Sequence, residues 1–193
     1  MTTHTGAALI GARPIGSSGV ERLWGTPVVI ESLDLADIVM PNITAPDPVG
    51  EPFEVIPASA VLNNEEALRA ELLTSMAALA AGQGLLEPSG LELEIQVWRG
   101  GFDRPAFSVG AEAIAWCVLA ASEPINQESG AIALTDPRPA GPQTAMPGLP
   151  WGRQFVIRCT AGAHAAAPGW LTCSVVPLEQ SQSALVAVAT SLR

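Results

Sequence analysis

The sequence predicts a mostly β chain, a sandwich or barrel with one supporting helix. Three observations predict it. One stretch carries helical periodicity, and six or more strand-like runs follow it with no second helix. Turn signals separate those runs. The 18 Gly and 17 Pro among 193 residues are many for a helical protein and suit a turn-rich β chain.

Residues 1–20 are rich in Gly, Thr and Ser and lack periodicity, which predicts an arm ahead of a single domain over 21–193. Thr26-Pro27-Val28-Val29-Ile30 is a short β-type run. Residues 40–57 carry Pro41, Pro46, Pro48, Pro52 and Pro57 and read as an extended loop. Asn63 or Asn64 can cap a helix whose positive end Glu65 and Glu66 favour. Leu68, Leu72, Leu73, Met76 and Leu79 then share one face, and Gly82 and Gly84 end the helix. Next, Leu91, Leu93, Ile95 and Val97 alternate with Glu92, Glu94 and Gln96, the mark of a strand with one wet face. Further strand-like runs span 113–120, 131–134, 154–159, 171–176 and 185–189. Gly100-Gly101, Glu128-Ser129-Gly130, the Pro-rich 136–150 and Pro168-Gly169 punctuate them.

Composition narrows the function classes. Hydrophobic residues make up 48% and charged residues 15%, the reverse of a disordered chain. The formal net charge is -10 and all nine basic residues are Arg, so phosphate is repelled and nucleic acid is not an expected partner. No apolar run reaches the length of a membrane span, and residues 1–18 do not read as a secretory signal. The expected setting is the cytoplasm. Cys117, Cys159 and Cys173 form neither a disulfide framework nor a zinc motif and read as buried small hydrophobes. Glu65, Glu66 and Glu71, like Glu92 and Glu94, read as solvated faces. The lack of Lys excludes a Walker-type phosphate loop.

The order of segments resembles a bacterial and phage family of 2-oxoglutarate/Fe(II) oxygenases, relatives of the prolyl-hydroxylase type. Leu23-Trp24-Gly25-Thr26-Pro27 matches the family's opening stretch. The helix follows, then a strand ending in Trp98 and the step Asp103-Arg104-Pro105. Ser129-Gly130-Ala131-Ile132-Ala133-Leu134-Thr135-Asp136-Pro137-Arg138 matches a turn, strand and Asp-Pro-Arg block. Gly162 and then Pro168-Gly169-Trp170-Leu171-Thr172-Cys173-Ser174-Val175-Val176-Pro177 match the last block. The resemblance covers roughly residues 21–190. It implies a double-stranded β-helix, the jelly-roll or cupin-like barrel. Its expected core holds Leu93, Ile95, Val97, Trp116, Val118, Ile132, Leu134, Phe155, Ile157, Leu171, Val175, Val186 and Val188. Three of the five Trp residues coincide with apolar family positions and are expected in the core.

The resemblance also implies where iron and oxoacid ligands would stand, and this chain departs at each place. Non-haem iron needs two imidazoles and a carboxylate on one face. Aligned without gaps, the first His and its partner fall on Ala106 and Ser108, the distal His on Cys173, and the oxoacid Arg at about Ala184 beside Ser183. A buried carboxylate co-substrate without a cation would be strongly disfavoured. Of the two histidines, His4 lies in the arm, and His164 reads as a hydrogen-bonded or surface residue. No Gly-x-Ser-x-Gly elbow occurs, and nothing in the sequence activates Cys173 beside His164.

The sequence therefore predicts a pseudoenzyme with no catalytic residue, metal or cofactor. It would serve as a structural or binding subunit in a homo- or hetero-oligomeric assembly of proteins, with a phage-like particle as one setting and an active oxygenase as another partner. Trp151 and Arg153 are the expected contact residues, since Trp and Arg dominate interface hot spots. An oxygenase with an atypical site and a carbohydrate-binding jelly roll are the alternatives.

Overall fold

The computed structural model describes residues 20–23, 25–123, 126–135, 137 and 154–193, the side chains of 21 and 22 excepted. The expected helix is present as α1, Glu65–Gln83. Asn64 caps it, its Oδ1 accepting the Ala67 N–H at 3.0 Å, and Glu65 and Glu66 sit in the first turn. It runs through Gly82 and stops at Gly84, whose φ of 69° is the left-handed conformation that glycine adopts without penalty.

The described strands are β1 (Val20–Leu23), β2 (Thr26–Ser32), β3 (Phe53–Ile56), β4 (Gly90–Arg99), β5 (Arg104–Phe107), β6 (Ala113–Ala121), β7 (Ile132–Leu134), β8 (Phe155–Ile157), β9 (Ala163–Pro168), β10 (Cys173–Val175) and β11 (Ser183–Leu192). They form a seven-stranded sheet in the order β1-β2-β9-β6-β11-β4-β3 and a four-stranded sheet in the order β5-β10-β7-β8. Strands β4 to β11 thus pass back and forth between two facing sheets, with β7 and β8 the one consecutive pair in the same sheet, which is the double-stranded β-helix. Strands β1, β2 and β3 widen the larger sheet at its margins.

Two cores result. Alternate residues of β6, β9 and β11 face opposite ways. One face meets α1 and is floored by small side chains, among them Ala113, Ala115, Cys117, Ala166, Ala187 and Ala189. Leu68, Leu72, Met76 and Leu79 of the helix, all fully buried, fill the space this floor leaves. Each such side chain contributes about 1.5–3 kcal/mol by leaving water. The other face lines the barrel between the two sheets with larger groups, including Trp116, Val118, Val186 and Val188.

Several expectations need correcting. The proline-rich 40–57 stretch contains β3, which pairs with β4. The wet face of β4 is wet only at Glu92 and Glu94; further on, Gln96 and Trp98 are buried on that same face. Leu93 and Phe155 pack at the margins of the cores rather than inside them. Among the tryptophans expected in the core, Trp98 and Trp116 are buried, Trp170 is 55% exposed, and Trp24 lies outside the described residues.

Candidate functional site

The barrel interior is where the family resemblance would set a metal, so each named residue is placed against it. Cys173 opens β10, pairs with Phe107 of β5 and Leu134 of β7, and is buried. Paired residues point to the same face, so Phe107 faces inward with it. Ala106 therefore faces outward, and both Ala106 and Ser108 are exposed. The gapless alignment is one residue out of phase with the strand. The inward pair at the same spacing is Phe107 and Val109, both packed against the barrel core. Ala184, near the start of β11, is fully buried, opposite Trp98 on one side and Ala121 on the other. Trp151 and Arg153 lie outside the described residues.

Large apolar groups fill the interior. The indoles of Trp98 and Trp116 are the two largest fully buried side chains, and Leu134 and Leu171 are buried with them. Trp98 donates its Nε1–H to Gln96 Oε1 at 3.0 Å, and Gln96 Nε2 donates onward to Glu94 Oε2 at 2.9 Å. Trp98 also stacks on Phe102 at 5.1 Å between ring centres. A cavity of about 10 Å³ lies where β6 leaves and β11 enters the barrel, between residues including Ser122, Ser129, Cys159 and Ala184. That is room for about one water molecule.

The chemistry of this lining does not fit iron with an oxoacid. Phe107, Val109 and Ala184 offer no donor atom. The Cys173 thiol donates to the Leu171 carbonyl at 3.3 Å. Burial pushes its pKa up to about 12, with Arg104 pulling it partly back, and Phe107, Leu134 and Val109 around it supply no second donor to complete a ligand set. Arg104 lies 3.7 Å over the Phe107 ring, a cation–π contact. Among the described residues no three His, Cys, Asp or Glu groups gather to hold an ion.

A second constellation lies on the helix side. His164 of β9 is fully buried, its Nε2 2.8 Å from Ser75 Oγ and its Nδ1 2.8 Å from the Trp116 carbonyl oxygen. A carbonyl only accepts, so Nδ1 carries the proton. Nε2 is then a lone pair that accepts the Ser75 hydroxyl. Burial pushes the His164 pKa below its ordinary 6.5, and the Trp116 hydrogen bond pulls it partly back. The ring is neutral and fully paired. Its distance to Ser75 is that of a nucleophile and its base, but the pair is sealed between α1 and the sheet, and it acts as a polar tie. One sequence signal would have found Ser75: it interrupts the apolar helical face at the spacing of Leu68, Leu72, Met76 and Leu79. A hydroxyl there requires a buried partner.

The rim carries a rigid display of one large residue. Val109 N–H donates to the Gly169 carbonyl at 2.9 Å, and Gly169 N–H donates to the Glu112 carbonyl at 2.8 Å. A Cβ at Gly169 would lie 1.9 Å from the Ala111 oxygen, so only glycine fits. This turn holds Trp170 outward.

No protein-family model matches the chain, and no curated protein matches its sequence. Solved structures do match. A Pseudomonas putida prolyl-4-hydroxylase is similar over 73% of this chain and 71% of its own, with 12% identity and a TM-score of 0.52. An oxidoreductase of the 2OG-Fe(II) oxygenase family from Burkholderia pseudomallei is similar over 91% of this chain and 73% of its own, with 10% identity and a TM-score of 0.43. The non-heme alpha ketoglutarate dependent epimerase SnoN from nogalamycin biosynthesis is similar over 78% of this chain and 65% of its own, with 16% identity and a TM-score of 0.47. What the chain shares with the prolyl hydroxylase is the jelly-roll fold. Among the described residues no helix is long and apolar enough to cross a membrane.

Proposed function

We propose that this chain is a pseudo-oxygenase: a jelly-roll barrel that serves, without catalysis, as a structural or binding subunit of a larger protein assembly. A phage-like particle is the setting suggested by the family its segments resemble. One observation carries the reading: Trp98 and Trp116 are buried in the barrel interior, and Phe107, Val109, Cys173 and Ala184 line it with a lone thiol in place of a ligand set. Fold does not fix function, and a barrel packed in this way retains a stable scaffold whose rim and margins are free to bind. Trp170, exposed on its tight turn, is of the residue type that anchors protein interfaces. The net charge of -10 argues against nucleic acid as the partner.

Titration of the purified chain with Fe(II) and 2-oxoglutarate tests this. A protein that holds a ligand present at a hundred times its dissociation constant gains about 2.7 kcal/mol. For a chain of this length that raises the melting temperature by about 5–10 °C. The expected result is no shift and no charge-transfer absorption band. A band, or a shift of that size, would establish an atypical oxygenase and end the pseudoenzyme reading.

A further inference from the structure

The margin of the seven-stranded sheet at β3 is built to receive one more strand. Arg99 N–H donates to the Pro52 carbonyl at 2.8 Å, so Pro52 and Arg99 form a hydrogen-bonded pair. Pairing alternates along an antiparallel ladder. Glu54 and Ile56 therefore bond to β4, while Phe53 and Val55 aim their N–H and C=O groups at the open edge. Among the described residues nothing bonds those groups. The same two residues have exposed apolar side chains, Phe53 at 44% and Val55 at 50%. The edge is also rigid. Phe53 stacks on Phe102 at 5.4 Å, and Phe102 stacks on buried Trp98. Arg99 clamps the approach through the Asp47 and Glu51 carbonyls and the Glu54 carboxylate. Exposed Glu51 precedes the strand, and exposed Glu92 and Glu94 share the face of Phe53 and Val55. An apolar edge with an acidic surround suits an extended apolar segment that carries positive charge.

We propose that this edge binds residues 1–19 of a second copy of the chain. That segment contains no acidic residue. Its run Ala7-Ala8-Leu9-Ile10-Gly11-Ala12-Arg13 offers short apolar side chains and one fixed positive charge ahead of Pro14. It leads into Val20 of β1, at the opposite margin of the same sheet. Six strand spacings, about 29 Å, separate the two margins, and nineteen extended residues reach about 60 Å. The segment is therefore long enough to reach a β3 edge, its own or an adjoining copy's, and the mass of the full-length chain tells the two apart. The contact joins two different surfaces, so it repeats into a ring or a filament. Pairing β3 with a second β3 is disfavoured. The two-fold register in which Phe53 and Val55 bond each other sets Glu54 against Glu54, and like charges directly opposite repel.

The inference rests on the assembly reading above, and the test separates the two. Light scattering with size exclusion gives the mass of the full-length chain and of its variants. Val55→Pro removes an outward N–H without touching the β4 ladder, and strands tolerate proline at such edge positions. It should raise the dissociation constant of the assembly by about tenfold. Arg13→Glu should weaken assembly by about threefold or more, with a thermal melt of the variant as the check that its fold is kept. A synthetic peptide of residues 5–17 added in excess should dissolve the assembly. Full-size assembly by Val55→Pro, or indifference to the peptide, overturns the edge inference and leaves the assembly reading standing. A full-length chain that stays monomeric overturns both.

Discussion

Acidification should loosen this protein at one buried ring. His164 is neutral in the folded chain, with both nitrogens committed and its pKa held below 6.5 by burial. In the unfolded chain it titrates near its ordinary 6.5. The unfolded state therefore binds the extra proton first. The stability that His164 contributes is fully present above 6.5 and is lost as pH falls through and below it. Between about pH 7.5 and 5.5 the loss is at most about 1.4 kcal/mol, the limit in which the folded ring stays neutral throughout. Few other groups titrate in this window. His4 is the other histidine. The assay is urea unfolding across this range, with His164→Gln and His4→Gln beside the unaltered chain. The slope should vanish in His164→Gln and persist in His4→Gln. An unchanged slope in His164→Gln would refute the reasoning, because the proton uptake would then belong to another group.

Other perturbations have equally definite outcomes. Trp116→Ala should lower unfolding free energy by about 3–5 kcal/mol, as a large core truncation with little room to collapse, and benzene should restore part of it by filling the space; equilibrium unfolding with and without benzene checks both. Gly169→Ala drives a Cβ into the Ala111 carbonyl at 1.9 Å and should cost a substantial share of stability, while Gly110→Ala, with open space around its Cβ, should be nearly neutral. Thermal melts of the two variants side by side decide it. Burial pushes the thiols of Cys117, Cys159 and Cys173 up to about 12, so a thiol reagent at mild alkaline pH should label none of them until denaturant is added.

What the sequence made legible follows from how strong each local signal is. The helix was readable because its cap, its acidic first turn, its apolar spacing and its terminal glycine all agree. The strands β4, β6 and β11 were readable from long β-type runs. Strand β9 was hidden from periodicity because it is nearly all alanine, a residue with weak strand preference, with Ala166 facing the helix and Ala165 and Ala167 facing the barrel. Strands β3 and β5 are short and touched by proline, and both lie at sheet margins where proline is tolerated. The site suffered from a different limit. Ala106 and Phe107 are neighbours in sequence but face opposite sides, and only the pairing of Phe107 with Cys173 fixes which one looks inward. Trp170 sits one residue from buried Leu171, and the turn that turns it outward depends on a contact between Gly169 and Ala111 that no local pattern encodes.

The filling of the barrel and the character of its lining are one physical fact rather than two. A jelly roll that holds an oxoacid keeps a guanidinium buried because the acid neutralises it. Remove the acid, and that guanidinium becomes an unpaired buried charge, a penalty of several kcal/mol. At Ala184 the surroundings are Trp98, Ala121 and the apolar residues behind them, with no carboxylate among the groups that pair with it. Ala184 stands across the ladder from Trp98, whose one polar side-chain atom is bonded to Gln96. Likewise a second imidazole beside Cys173 would face Phe107 and Leu134, neither of which can pair with it. A polar ligand set inside a barrel carries a desolvation cost that its ligand offsets, whereas an apolar interior carries none. The present lining is the second kind, which agrees with the proposal that this barrel binds through its outside, at the Trp170 rim and the β3 edge.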